Sequence, residues 1–223
     1  MGKVYVEYDD GVARYVCTSC HRCTSLYGTS LCKIKNRGCC FYFPEFTLVD
    51  IHRMSVTLEG LRTLEIIRRQ PGAVFYSYHI HVKGYFDRQG YDEYMKKGRL
   101  LGDGSIQDHT MFFRACPFVE GGRGCTLPPR YRTIVCNFFI CSEILEHPNL
   151  QAAFKPYLEE RSRYARWEYR EKLELQHVLM EKGLDLINNF EEAIEVLQDT
   201  PLNLYEFPPL EPVEYADGWS QGA

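Results

Sequence analysis

Cysteine is missing from most of this chain. Residues 41–115 and 142–223 contain none, so all ten cysteines fall into two windows, 17–40 and 116–141. Long apolar runs are missing too. The longest, residues 134–141, is interrupted by Asn137 and is far too short to cross a bilayer, so no membrane span is expected. The first residues lack the apolar stretch of a secretory signal, and Val6 stands where a myristoylation site needs Ser or Thr. These absences point to a cytoplasmic protein. Excess positive charge is absent as well: the net charge is −4, which leaves no basic footprint for nucleic acid. No Ser–His–Asp order, Walker loop or Rossmann glycine fingerprint is present, and no residue is assigned a catalytic role.

What is present is a chain of 223 residues, long enough to bury a core without disulfide staples. Residues 3–8 and 12–17 read as two strands joined at Asp9-Asp10-Gly11, a hairpin signal. Residues 47–69 carry Leu48, Ile51, Met54, Leu58, Leu61, Leu64 and Ile67 at helical spacing, and Pro71-Gly72 ends that run. Residues 73–86 are strand-like, Gly102-Asp103-Gly104 is a turn, and residues 110–113 suggest a strand leading to Cys116. Pro148 and Pro156 suit first-turn positions of helices. Residues 155–182 are rich in Glu and Arg, with Glu159–Arg163 and Glu168–Lys172 at i,i+4, and read as a solvated helix. Gly183 closes it, and Ile187, Phe190, Ile194 and Leu197 mark a second helix. The last residues hold three prolines and several acids, and we expect a free polar tail, with Tyr205, Phe207, Tyr215 and Trp219 as the grounds for packing instead.

The expected fold is therefore α+β, in three parts: a cysteine-rich metal- or cluster-binding domain over 1–145, a helical hairpin over 146–200 and a Pro-rich acidic tail over 201–223. The hairpin and tail are the expected docking surface for a protein partner or larger complex.

Three chemistries compete for the cysteines. Thiolates suit zinc or an iron–sulfur cluster. Cys17-x-x-Cys20-x-x-Cys23 has ferredoxin-like spacing, and Cys116-Pro117 has the local form of a further, remote ligand. A [4Fe–4S] centre on Cys17, Cys20, Cys23 and Cys116 is expected on this basis. A zinc site is the alternative. With Cys32, Cys39, Cys40, Cys125, Cys136 and Cys141, the chain could supply two four-ligand centres. In extended backbone Cys39 and Cys40 would point apart, one to each centre. Disulfides are disfavoured in a reduced compartment. Covalent haem at Cys17-Thr18-Ser19-Cys20-His21 would need an extracytoplasmic setting and no competing thiol.

Other groups have blander readings. His79 and His81 on a tyrosine-rich strand read as structural, and His21 as a ligand or donor only through its place in the knuckle. Residues 120–124, with three glycines, read as a tight turn before they read as an anion nest. Arg130, Tyr131 and Arg132 read as a solvated loop, able at most to receive an acidic group.

Gly38-Cys39-Cys40 with the helical Leu48–Met54 stretch, Cys116-Pro117-Phe118-Val119, Gly124-Cys125-Thr126-Leu127, and Cys136 and Cys141 after Arg132 together resemble the zinc- or iron-chelating cysteine-cluster family (YkgJ-type, CxxCxxCC) over residues 17–141. Thr133 and Ile140 depart from that pattern by replacing prolines. The resemblance implies metal or iron–sulfur binding, with flagellin lysine N-methylases among larger relatives. The expected function is an iron–sulfur protein in electron transfer or an accessory subunit. A zinc-binding interaction protein and a lysine N-methylase-like enzyme are the alternatives.

Overall fold

The computed structural model describes residues 2–20, 25–98, 101–102, 106–145, 147 and 149–215. The architecture is mixed α+β, built from small antiparallel sheets and helices rather than one large sheet. β1 (Gly2–Asp9) and β2 (Val12–Cys17) form the expected hairpin, with Val4 opposite Cys17 and Asp9 opposite Val12. Asp10 and Gly11 both take positive φ, 50° and 77°, as a tight two-residue hairpin turn requires. The hairpin thus delivers Cys17 at the end of β2.

The helical pattern of residues 47–69 divides in two. α1 (Leu48–Ser55) ends before Thr57, which turns extended and accepts the Gly60 N–H at 3.0 Å to cap α2 (Leu58–Arg68). A Thr that can satisfy an orphaned helix donor favours a new start over continuation. β3 (Glu45–Thr47), β4 (Ala73–Tyr76) and β5 (His79–Val82) form a sheet in the order β3-β5-β4. β6 (Tyr85–Phe86) pairs with β7 (Arg114–Ala115), and α3 (Arg88–Lys97) lies between them in sequence. Residues 110–113, expected as a strand, lie in a 3-10 helix, His109–Phe113, whose tight turn lets Met111, Phe112 and Phe113 all face a small apolar cluster with Ile106. A two-residue period cannot bury three consecutive side chains on one side. β8 (Val119–Glu120) and β9 (Gly124–Cys125) make a short hairpin, followed by α4 (Ile134–Asn137) and α5 (Ser142–Leu145). The expected turn at Gly102 extends onto Asp103 and Gly104, outside the described residues.

α6 (Gln151–Glu181) is the longest helix, and α7 (Phe190–Asp199) follows it. Gly183, at φ 69°, closes α6 with the Leu184 N–H donating to Leu179. Pro156 sits one turn inside α6 rather than at its start, and Pro148 lies outside the described residues. The Glu-rich helix is not uniformly solvated: Glu160, Glu168 and Glu171 are buried among Phe154, Tyr157, Tyr164, Trp167 and Leu175. Glu168 accepts from the Thr47 hydroxyl at 3.1 Å, and Glu171 accepts from Asn203. Other pairings take the place of those expected from spacing: Arg163 bonds Glu160 at i,i+3, 3.1 Å away, and Glu168 turns to Thr47.

The tail is not free where it is described. β10 (Val213–Tyr215) pairs antiparallel with β1, and Phe207 stacks on Phe138 with centroids 5.4 Å apart. Its prolines rule out a helix but permit an extended strap, and its aromatics supply the apolar area that holds the strap down. One hydrophobic cluster draws residues from all three segments of the chain, including Val4, Phe46, Tyr131, Trp167, Ile194 and Tyr215.

Candidate metal centre

The two cysteine windows meet in space. The backbone N–H of Cys116 donates to the carbonyl of Cys40 at 2.9 Å, and the Val119 N–H turns back onto the Cys116 carbonyl at 3.3 Å. The β8–β9 hairpin packs against the first window, since the Gly122 N–H donates to Asn36 at 2.8 Å. Residues 120–124 are therefore a structural turn, with the Gly122 amide used on Asn36 and the Arg123 amide on the Glu120 carbonyl at 3.0 Å.

Gly38 takes φ 57°, a left-handed conformation that glycine adopts without strain. The backbone then turns through Cys39 and Cys40, with the Phe41 N–H donating to Cys39 at 2.8 Å. In this turn the Cys39 and Cys40 thiols meet, instead of pointing apart as extended backbone would place them. Hydrogen bonding links Cys17 to Cys20, Cys20 to Cys39, and Cys39 to Cys40. Cys40 also senses the charge of the second window, as a shared electrostatic neighbour of Cys116, Cys125 and Cys136. Seven of the sequence-picked cysteines thus lie in one continuous thiol region. Cys116 finds its thiol neighbours in Cys136, Cys125 and Cys40.

The remaining three differ. Cys23, like His21, lies outside the described residues. Cys32 is 1 % exposed and packs its sulfur between the Ser30 hydroxyl at 3.3 Å and the Ile34 carbonyl at 3.7 Å. Cys141 is half-buried against the main core. Cys17, Cys32, Cys39, Cys40, Cys116, Cys125 and Cys136 are all thiols, not halves of disulfides. Among the described residues, no three His, Cys, Asp or Glu side chains converge as ligands of a single ion would.

Thiol protonation is uneven across the region. Hydrogen bonding with Cys20, then burial, raises Cys17, while the Tyr215 hydroxyl at 2.9 Å opposes the shift. Cys39 is held well above the usual thiol range by hydrogen bonds with Cys20 and Cys40 and by burial. Cys40 moves the other way: Cys39 donates to it, and the guanidinium groups of Arg132 and Arg37 add to that lowering against the opposing effect of burial. Burial raises Cys116 and Cys125. Although Cys136 is exposed as a residue, burial of its sulfur pushes the thiol up to about 11, against a hydrogen bond from the Thr133 hydroxyl. Of the thiols just described, Cys40 is the one whose surroundings favour the thiolate.

Arg37 supplies the least expected part of the site. It is 2 % exposed, and its guanidinium donates to the carbonyls of Thr29 and Met111, each at 2.8 Å, and of Gly38. Its Nε has no partner, and among the described residues no carboxylate pairs with it. Burial lowers its proton affinity, and the thiols of Cys32, Cys40 and Cys39 are the groups that restore it. A buried cation without a counter-charge is costly, and among the described residues it is sulfur that is placed to provide one. Sequence reasoning missed Arg37 because a lone basic residue in a loop has no periodicity. Its one signal was its place two residues before Cys39. The Tyr215 contact to Cys17 was missed for a different reason, since it depends on the tail returning to β1.

Arg132 was foreseen only as loop. It donates to the Leu127 carbonyl at 2.8 Å and lowers Cys40, Cys125 and Cys136 electrostatically. Arg130 bridges Asp9 and Glu59, and Tyr131 is buried with its hydroxyl 2.7 Å from Thr57. These three residues are structural anchors rather than a solvated loop. His79 stacks on Tyr76 at 4.3 Å and lies 3.8 Å from the Glu45 carboxylate, diagonally across the strand pair, a structural role.

No protein-family model, curated protein or solved structure matches the chain. Among the described residues, no helix is long and apolar enough to cross a membrane.

Proposed function

We propose that this protein binds an iron–sulfur cluster through Cys40, Cys116, Cys125 and Cys136, and serves in electron transfer or as the cluster-bearing subunit of a larger complex. The observation that carries the proposal is Arg37, a buried guanidinium whose ionisable neighbours of opposite potential charge are thiols. An anionic thiolate centre beside it would supply the missing counter-charge and an acceptor for its unpartnered Nε.

The second window has no C-x-x-C pair, whereas structural zinc usually takes one from each of two knuckles, which supports a cluster over a lone zinc ion. Cys40 is an electrostatic neighbour of Cys116, Cys125 and Cys136. A bound cluster would supply one-electron transfer, with its potential set by surrounding charge and hydrogen bonds. This chain's own residues would do the rest: Arg37 and Arg132 stabilise the negative charge, and the Thr133 hydroxyl donates to Cys136. Cys17, Cys20 and Cys39 adjoin this set and, with Cys23, would provide a second ligand group of ferredoxin-like spacing.

The test is iron, sulfide and zinc analysis of Cys40→Ser and Cys125→Ser proteins prepared without oxygen, beside Cys32→Ser. The first two should lose a centre that Cys32→Ser retains. Equal metal content in all three would defeat the assignment, and stoichiometric zinc without sulfide would replace the cluster by a zinc site.

A further inference from the structure

The outward face of α6 carries a feature that the cysteine region does not explain. Arg163, Arg166 and Arg170 recur at i, i+3 and i+7, so they rise along one stripe of the helix. Like charges at this spacing repel and destabilise an isolated helix. Arg163 is relieved by Glu160 at 3.1 Å. Arg166 and Arg170 are exposed and have no ion pair among the described residues, although Glu174 lies one turn beyond Arg170.

These arginines line an open groove of about 720 Å³ together with Ala165, Tyr169 and Tyr205. A second hollow of about 340 Å³ adjoins it and shares Arg163 and Arg166. Tyr169 is 59 % exposed, and Leu204 on the neighbouring strap is 85 % exposed. The Tyr205 hydroxyl is tied to buried Glu160, so the strap forms a fixed wall. Planar guanidinium forks match carboxylates in two-point hydrogen bonds, and Arg and Tyr are the residues most enriched where binding energy concentrates.

We infer that the Arg163–Arg166–Arg170 groove docks an acidic segment of a partner protein. The groove is positive on a chain whose net charge is −4. That overall charge disfavours a long polyanion such as nucleic acid, which would meet repulsion beyond the groove. A short run of Glu or Asp side chains can meet Arg163, Arg166 and Arg170 within the groove, with Glu159 confined to the adjoining hollow. The inference stands on α6 and the strap alone and does not depend on a bound cluster.

The test uses the full chain and a fluorescein-labelled peptide of alternating Glu and Tyr, read by anisotropy. The peptide should bind, and added salt should weaken binding. Arg166→Glu combined with Arg170→Glu should weaken it by about tenfold or more. Arg88→Glu, on the exposed face of α3, should leave it unchanged. Circular dichroism would show that the variants keep their helix content. Absent binding, equal binding by the double variant, or equal loss in Arg88→Glu would overturn the inference. So would tighter binding of a single-stranded oligonucleotide of equal charge, displacement by inorganic phosphate at a lower concentration than by unlabelled peptide, or salt-sensitive self-association abolished by the double substitution.

Discussion

The Cys116 N–H and the Cys40 carbonyl are joined by a 2.9 Å hydrogen bond, which closes the long cysteine-free interval between the two windows. The residues in between fold into α1, α2, the β3-β5-β4 sheet and α3 before the chain returns. The second window is therefore held against the first by backbone as well as by sulfur. A site assembled at such sequence distance depends on the whole core beneath it.

Replacing Arg37 by Met should destabilise the fold by about 3 kcal/mol, because three carbonyls lose a buried donor. Arg37→Lys keeps the charge but not the planar fork. It should lose part of that stability while retaining more iron than the Met variant. Urea midpoints and iron per chain check both statements, and equal iron in the two variants would remove the counter-charge role of Arg37.

Glu168 offers a pH signature away from the cysteines. Burial, then the neighbouring Asp50, pushes its carboxyl up to about 7, against the opposing pull of Arg53, Thr47 and Lys172. The folded state therefore holds this proton more tightly than the unfolded chain, whose Glu titrates near 4.3. The stability it contributes is complete below that unfolded value and is lost as pH rises through about 7. Asp50 is also raised by burial, and shifts stability in the same direction. Wild type should lose on the order of 2–3 kcal/mol between about pH 5 and pH 8, and Glu168→Gln should lose distinctly less. Denaturant titrations at each pH would show it, and parallel pH profiles would contradict it.

The strap gives a third expectation. Phe207 stacks on Phe138 and meets Tyr15 edge-on at 6.2 Å, so Phe207→Ala should cost about 2–3 kcal/mol by urea unfolding. A cost under about 0.5 kcal/mol, typical of exposed positions, would mean that the strap is dispensable.

Local features were legible in the sequence where local physics decides them. The Asp9-Asp10-Gly11 hairpin, the Gly183 helix stop and the clustering of cysteines all follow from short-range rules. The division of α1 from α2 hid inside an unbroken apolar pattern, and only the Thr57 cap reveals it. The tail misled because proline and acid content forecast disorder, whereas its fate is set by aromatic partners far back in the chain, Tyr15, Phe138 and Tyr164. Glu160, Glu168 and Glu171 looked solvated because composition cannot say which face of a helix turns inward. Within the site, the thiols were legible and the guanidinium that faces them was not.

The central claim is that Cys40, Cys116, Cys125 and Cys136 hold an iron–sulfur cluster. The most direct measurement is the visible absorption spectrum of the full chain purified without oxygen, before and after dithionite. The account predicts a brown protein with broad absorption that bleaches on reduction, accompanied by matched iron and sulfide. A colourless protein with unchanged absorption and no bound iron would contradict it.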